Sequence, residues 1–241
     1  MVCRRLRCES GEVMHYPTCG TDIRLQEHGA QLYAGAATAD LNALRKALAH
    51  LPEDHAGIRI SGIADLRPFL SATGSVGSIA ADVLGPECRP VRAILFDKTA
   101  ETNWSLNWHQ DRTICVQQRV DVAGYGPWTV KRGMQHVEPP FDLLTRMLTL
   151  RVHLDDVPSS NSPLLIAPGS HVEGRIPVTR MQEVVARRGV QACLANEGDV
   201  WLYRTAILHA SEAASEPRHR RVLQVDFAAE DLPGGLRWLG V

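Results

Sequence analysis

Asn107-Trp108-His109-Gln110-Asp111 is the stretch on which the reading of this chain turns. The run 108–116 reads as a β-strand, in which successive side chains alternate faces. His109 and Asp111 then point one way, and Trp108 and Gln110 the other. A neutral imidazole beside a carboxylate supplies two of the three ligands with which a 2-His-1-carboxylate set holds non-heme iron(II). The third has to come from elsewhere in the chain.

Strand texture continues on both sides. Val91-Arg92-Ala93-Ile94-Leu95-Phe96 reads as a strand ending in Asp97-Lys98-Thr99. The run 147–154 alternates, with Leu148, Leu150, Val152 and Leu154 on one face and Thr149, Arg151 and His153 on the other. Leu164-Leu165-Ile166-Ala167 is a short buried strand closed by Pro168-Gly169-Ser170-His171. Runs 191–194 and 199–203 are strands separated by a turn at Asn196-Glu197-Gly198. In 221–227, Leu223, Val225 and Phe227 share a face. A helix is expected over 179–188, ended by Gly189.

Before residue 89 the pattern is mostly helical. After a short extended piece at 30–33, Thr38-Ala39-Asp40 caps an amphipathic helix carrying Leu41, Leu44, Leu48 and Leu51. A short helix follows across 63–70, and a third runs through Ile79 and Val83 to Gly85-Pro86. Helices first and many short strands afterwards predict a mainly β fold, an antiparallel two-sheet barrel or jelly roll with peripheral helices. The connection 121–140, rich in glycine and proline, shows no obvious structure. Connections of that length usually serve as lids or binding loops.

The 241 residues are expected to form one domain, 1–241, with 1–20 loosely attached. A net charge of -1 gives no reason to expect nucleic acid or an anionic membrane as partner. The start has positive charge but no apolar core, and no apolar run reaches membrane-spanning length, so a cytoplasmic location is expected. The six cysteines are too scattered for a disulfide framework. Cys3, Cys8, His15 and Cys19 lack a Cys-x-x-Cys pair, which argues against a zinc site. Met14 is a possible alternative start, making the residues before it dispensable.

For the third ligand the chain offers His136, His153, His171, His209 and His219. His209 is preferred. It follows the strand 199–203, which would deliver it to the mouth of a barrel, and precedes a strand opening with Arg220 and Arg221. Oxygenases with this iron set commonly use a dicarboxylate co-substrate, and arginine grips a carboxylate with two hydrogen bonds while never losing its charge.

The ordered combination of Leu95-Phe96-Asp97-Lys98-Thr99, Trp108-His109-Gln110-Asp111, Asn161-Ser162-Pro163-Leu164, Pro168-Gly169-Ser170-His171, Gly198-Asp199 and His209-Ala210-Ser211 resembles the phytanoyl-CoA dioxygenase family, over roughly 31–228. The resemblance implies a double-stranded β-helix and a dioxygenase dependent on Fe(II), 2-oxoglutarate and O2. Hydroxylation of a C–H bond in a small molecule is the expected reaction, with release of succinate and CO2. It implies His109, Asp111 and His209 as metal ligands, Arg220 for the distal carboxylate of 2-oxoglutarate, and Ser211 as a supporting hydroxyl. Lys98 is a further candidate for the co-substrate. Asp111 argues against halogenation, because iron halogenases of this broad type lack the carboxylate. The family usually has glycine after the asparagine, where this chain has Ser162, so the local turn is an open point.

Trp108, Trp128, His136 and Arg151 are candidate substrate contacts, with Tyr125 and Lys131 of the long loop beside them. His171 is expected to be a hydrogen-bonding post, and Cys115 a small core residue. Alternatives are the same iron site driving desaturation, cyclisation or demethylation, a non-redox cupin-type binding or isomerase protein, and a non-catalytic sensor. The loop carries no basic cluster of the kind coenzyme A phosphates require, which favours a free small molecule as partner. Oligomeric state and substrate identity have no signature.

Overall fold

Alternating side chains build the larger of two facing sheets. The computed structural model describes residues 22–52 and 55–241. The N-terminal cysteines, His15 and Met14 therefore lie outside the described residues. The strands are β1 (Ala30–Tyr33), β2 (Gly57–Ile60), β3 (Arg89–Lys98), β4 (Leu106–His109), β5 (Ile114–Val116), β6 (Trp128–Lys131), β7 (Met134–Val137), β8 (Leu148–His153), β9 (Leu164–Ile166), β10 (Gln191–Cys193), β11 (Val200–Arg204), β12 (His209–Ser211) and β13 (Arg220–Ala228). The helices are α1 (Leu25–His28), α2 (Leu41–Leu48), α3 (Arg67–Leu70), α4 (Gly77–Leu84), α5 (Phe141–Thr145) and α6 (Met181–Arg188).

A six-stranded sheet runs β1-β11-β8-β13-β3-β2, and a four-stranded sheet runs β10-β9-β12-β4. Every strand pair is antiparallel. This is the antiparallel two-sheet jelly roll expected from the order of elements, and the double-stranded β-helix that the family resemblance implies. One face of the larger sheet carries Ile58, Ile60, Leu95, Leu150, Val152, Leu223, Val225 and Phe227 into a core shared with Leu41, Leu44 and Leu48 of α2 and with Ile79 of α4. Burying each such side chain contributes about 1.5–3 kcal/mol relative to exposure. The opposite face of the same strands carries Arg92, Arg151, Arg220, Gln224 and Asp226, which face the smaller sheet.

Three expectations need correction. The run 108–116 is two strands, not one: β4 joins the four-stranded sheet, while β5 joins β7 and β6 in a third sheet. Gln110 causes the break. Its buried amide donates to the Ala206 and Gly174 carbonyls and accepts from the Ile176 N–H, satisfying loops where strand pairing would otherwise continue. The connection 121–140 is not structureless, since it holds the hairpin of β6 and β7. Residues 38–40 form a 3-10 turn with no side-chain cap on α2. The sequence also gave no warning of β2, α1 or α5.

Candidate active site

Register brings the two histidines together. In the antiparallel pair of β4 and β12, His109 lies directly opposite His209, one hundred residues away. Such partners have Cβ atoms about 4.5–5.5 Å apart, and the two ring centroids are 4.2 Å apart. Beyond His209 the register of this pair shifts, an irregularity that re-aims side chains at the rim of a barrel. β12 is thus a strand of its own between the two strands that the sequence marks at 199–203 and 221–227. Ser170 braces the approach to it, accepting from the Leu208 N–H at 2.9 Å. His171, expected as the post, instead packs its ring over Gly29, and its Nδ1 has no partner.

Each ring is fixed by the backbone two residues before it. His109 Nδ1 donates to the Asn107 carbonyl at 2.8 Å, and His209 Nδ1 to the Ile207 carbonyl at 3.0 Å. A nitrogen facing a carbonyl carries the proton, which leaves each Nε2 as a free lone pair for a metal. Burial, with the neighbouring His109, pushes His209 down to about 4, so it is neutral at physiological pH.

Asp111 completes the cluster, in which one ligand atom from each of the three residues lies within 4.8 Å of the others. It sits just past the end of β4, so the strand alternation that suggested it does not position it. Arg92 does. Arg92 Nη2 donates to Asp111 Oδ2 at 2.9 Å and Arg92 Nε to Asp226 Oδ2 at 2.5 Å. Asp226 and Arg92 are cross-strand partners, as are Asp226 and Thr149, whose hydroxyl donates to Asp226 Oδ1 at 3.0 Å. Burial would raise the Asp111 carboxyl, but Arg92, together with the imidazoles when protonated, outweighs it and holds the group near 2. For Asp226, burial wins and the carboxyl is raised. Two nitrogens and an ionised oxygen on one wall are a donor set that fits iron(II).

These residues line a cavity of about 680 Å³ between the two sheets, within the usual range for a small-molecule site. Its floor is cationic. Arg220 is buried on the inward face of β13, donates to the Ser162 carbonyl, and has a buried Nε with no partner. Arg221 faces outward and pairs with Asp155 at 2.7 Å. Arg151 donates to Gln224 Oε1 at 2.9 Å and also has an unpartnered Nε. Burial and the Arg151 charge lower Arg220 to about 9. His153, on the same face as Arg151, is buried with both ring nitrogens unpartnered. Buried donors without acceptors are costly, and the two guanidinium groups, which line the cavity as His153 does not, fit a ligand rich in carboxylate oxygens.

Ser211 lines the cavity, and Lys98 stands behind it, outside the lining. The Lys98 ammonium donates to Ser162 Oγ at 2.6 Å, the Trp104 carbonyl at 2.7 Å, the Glu212 carbonyl at 2.9 Å and Ser211 Oγ at 3.1 Å. Burial and the Arg220 and Arg151 charges push it down to about 7, while the four oxygens favour the charged form. Ser162 adopts φ 56°, in the left-handed region that favours glycine. The turn is kept with serine, whose hydroxyl is used on Lys98.

Of the candidate substrate contacts, Trp108 and Arg151 line the cavity, with Lys131. Trp128 and Tyr125 instead pack against the cluster around Val116, Val137 and Leu144, and Arg119 stacks on Trp128. His136 is fully buried on β7 opposite Cys115, also buried. Arg92, Asp226, Gln224 and Arg59 were missed. Their signal was a polar side chain at alternating positions in otherwise apolar strands: Asp226 and Gln224 share the parity of Arg220.

The sequence signature described as Phytanoyl-CoA dioxygenase (PhyH) matches residues 26–222. No curated protein matches the chain. Among solved structures, EctD from S. alaskensis is similar with a TM-score of 0.61 and 19% identity, covering 85% of this chain and 74% of that one. HygX from Streptomyces hygroscopicus, with nickel and 2-oxoglutarate bound, gives 0.58 and 15%, covering 85% and 84%. AviO1 from Streptomyces viridochromogenes Tue57 gives 0.57 and 19%, covering 92% and 99%. The chain belongs to the phytanoyl-CoA dioxygenase family, and with it to the iron(II)- and 2-oxoglutarate-dependent oxygenases.

Proposed function

We propose that this enzyme hydroxylates a C–H bond of a small organic molecule, converting 2-oxoglutarate and O2 to succinate and CO2. The observation that carries the reading is the cross-strand histidine pair beside one ionised carboxylate, above a floor of buried guanidinium groups with no carboxylate bonded to them. His109 Nε2, His209 Nε2 and an Asp111 oxygen hold the iron. When bound there, iron(II) supplies the oxidising chemistry: one oxygen atom of O2 ends in succinate and the other in the product alcohol.

The chain's own residues orient and shelter. Arg220 grips the far carboxylate of 2-oxoglutarate with its planar fork, and Ser211 adds a hydroxyl that Lys98 holds in place. Arg151, anchored by Gln224, adds positive charge to the same floor. Arg92 fixes the rotation of Asp111 and keeps it ionised. Related folds with hygromycin B bound, in HygX, and with 5-hydroxyectoine bound, in EctD, support a small-molecule substrate.

Succinate formation from 2-oxoglutarate, measured with iron(II) and O2, tests the proposal. The wild type should form succinate only when iron is added. Asp111→Ala should lose turnover on the order of 100-fold or more while its circular dichroism stays that of the wild type. Product mass should rise by one oxygen atom. Wild-type turnover in the variant, or no iron-dependent consumption of 2-oxoglutarate, refutes the assignment.

A further inference from the structure

We propose that the molecule oxidised in this cavity carries an oxyanion group, a carboxylate or a phosphate, and that Arg59 and Lys131 receive it. The proposal rests on the oxygenase reading above and deepens it.

β2 is an edge strand of the larger sheet, and its alternation is clear. Ile58 and Ile60 enter the helix-covered core, while Gly57 and Arg59 face the cavity, Arg59 opposite Ile94, which lines it too. An arginine on an edge strand has solvent available to it, yet here its Nε is buried and without a partner. Lys131 approaches the same side from the end of β6.

Charge bookkeeping isolates these two groups. Arg59, Arg92, Arg112, Lys131, Arg151 and Arg220 line the cavity against one carboxylate, Asp111. Arg92 is neutralised by Asp111 and Asp226. Arg112 donates to the Ile176 carbonyl, and Arg151 and Arg220 lie on the floor assigned to 2-oxoglutarate. Arg59 and Lys131 are left with no acidic partner among the described residues. Desolvation is the first cause that lowers both; the Arg92 and Arg132 charges add to it at Arg59, and the Arg59 and Arg92 charges at Lys131, against a smaller opposing pull from Asp111. Leu106, Trp108, Val178 and Met181 supply an apolar contribution to the lining. A substrate with an anionic head and a carbon body is held at both, with its reacting carbon beside the metal ligands. The cations come from positions 59 and 131, so no basic cluster is visible in the sequence.

Calorimetric titration of sulfate, as a tetrahedral oxyanion, and of acetate, as a carboxylate, into enzyme loaded under argon with iron(II) and saturating 2-oxoglutarate tests this. Saturation keeps the floor arginines occupied, so only the second position responds. At least one anion should bind saturably, and the tighter of the two identifies the group. Arg59→Gln should weaken it about tenfold or more and Lys131→Gln about threefold, with affinity for 2-oxoglutarate unchanged in both. Lys131 is exposed, so its variant decides the matter even if Arg59→Gln does not fold. No saturable binding of either anion, or equal binding in wild type and variants, overturns the proposal. If anion binding depends on Arg59 but the protein takes up no 2-oxoglutarate, the co-substrate assignment falls and this one stands.

Discussion

Arg92 shows how one side chain ties the site to the sheet. It is nearly buried, and its guanidinium faces two carboxylates at once, Asp111 on the metal wall and Asp226 on the neighbouring strand. Removing it leaves the buried Asp226 and the partly buried Asp111 without a counter-charge, and breaking a buried pair typically costs about 3–5 kcal/mol. It also frees Asp111 to rotate and take up a proton, and loss of such a support typically weakens metal binding about 10–100-fold. Arg92→Met should therefore lower both the urea midpoint and the affinity for iron(II). A variant with wild-type stability and wild-type iron affinity would show that the pairing is incidental. His109 and Asp111 could be picked out of the sequence because they share one short motif, His209 because it opens another, and Arg220 because it opens the strand that follows. Arg92 and Asp226 could not, since their partnership is created by the register of β3 against β13.

Among the elements, legibility followed periodicity. The 3.6-residue repeat of α2 and the alternation of β8 and β13 appear where the sequence puts them. The short pieces were lost. β2 has only two apolar residues to declare it, β6 is largely exposed, and β7 carries polar Gln135 and His136 between Met134 and Val137, so none shows the apolar stripe that marks a strand. The split of β4 from β5 depends on the three contacts of one buried amide, Gln110, which no pattern encodes. A close approach is equally invisible to periodicity. At Gly77 in α4, a Cβ would overlap the carbonyl oxygens of Leu70 and Ser71 where α3 ends. Gly77→Ala should therefore destabilise the fold by about 1–3 kcal/mol, although alanine favours helix. Unfolding by urea measures this, and a gain in stability would mean that the two helices do not meet as described.

Across the whole molecule, a polar interior is enclosed by an apolar exterior of the same sheet, and the cost appears in acid. His209 is held down to about 4, and His153 well below its usual value, chiefly by burial in both cases. The unfolded chain protonates both near pH 6.5. Between those values it binds more protons than the folded one, so stability of the metal-free protein falls as pH drops from about 6.5 toward 4. Each group contributes at most about 1.4 kcal/mol per pH unit. His153→Leu should flatten that slope in urea titrations at about pH 6.5 and 5.5, and an unaltered slope would mean that His153 is protonated in the fold. Among the described residues no helix is long and apolar enough to cross a membrane.

The account depends on three side chains sharing one metal in front of an arginine that holds the co-substrate. Anaerobic titration with iron(II) and then 2-oxoglutarate, followed by visible absorption, addresses it most directly. The wild type should bind one iron and develop a charge-transfer band when 2-oxoglutarate chelates it. Asp111→Ala should bind iron far more weakly, and Arg220→Ala should need about 10–1000-fold more 2-oxoglutarate to reach the same band. Iron binding without any band in the wild type, or the same titration curve in both variants, would contradict it.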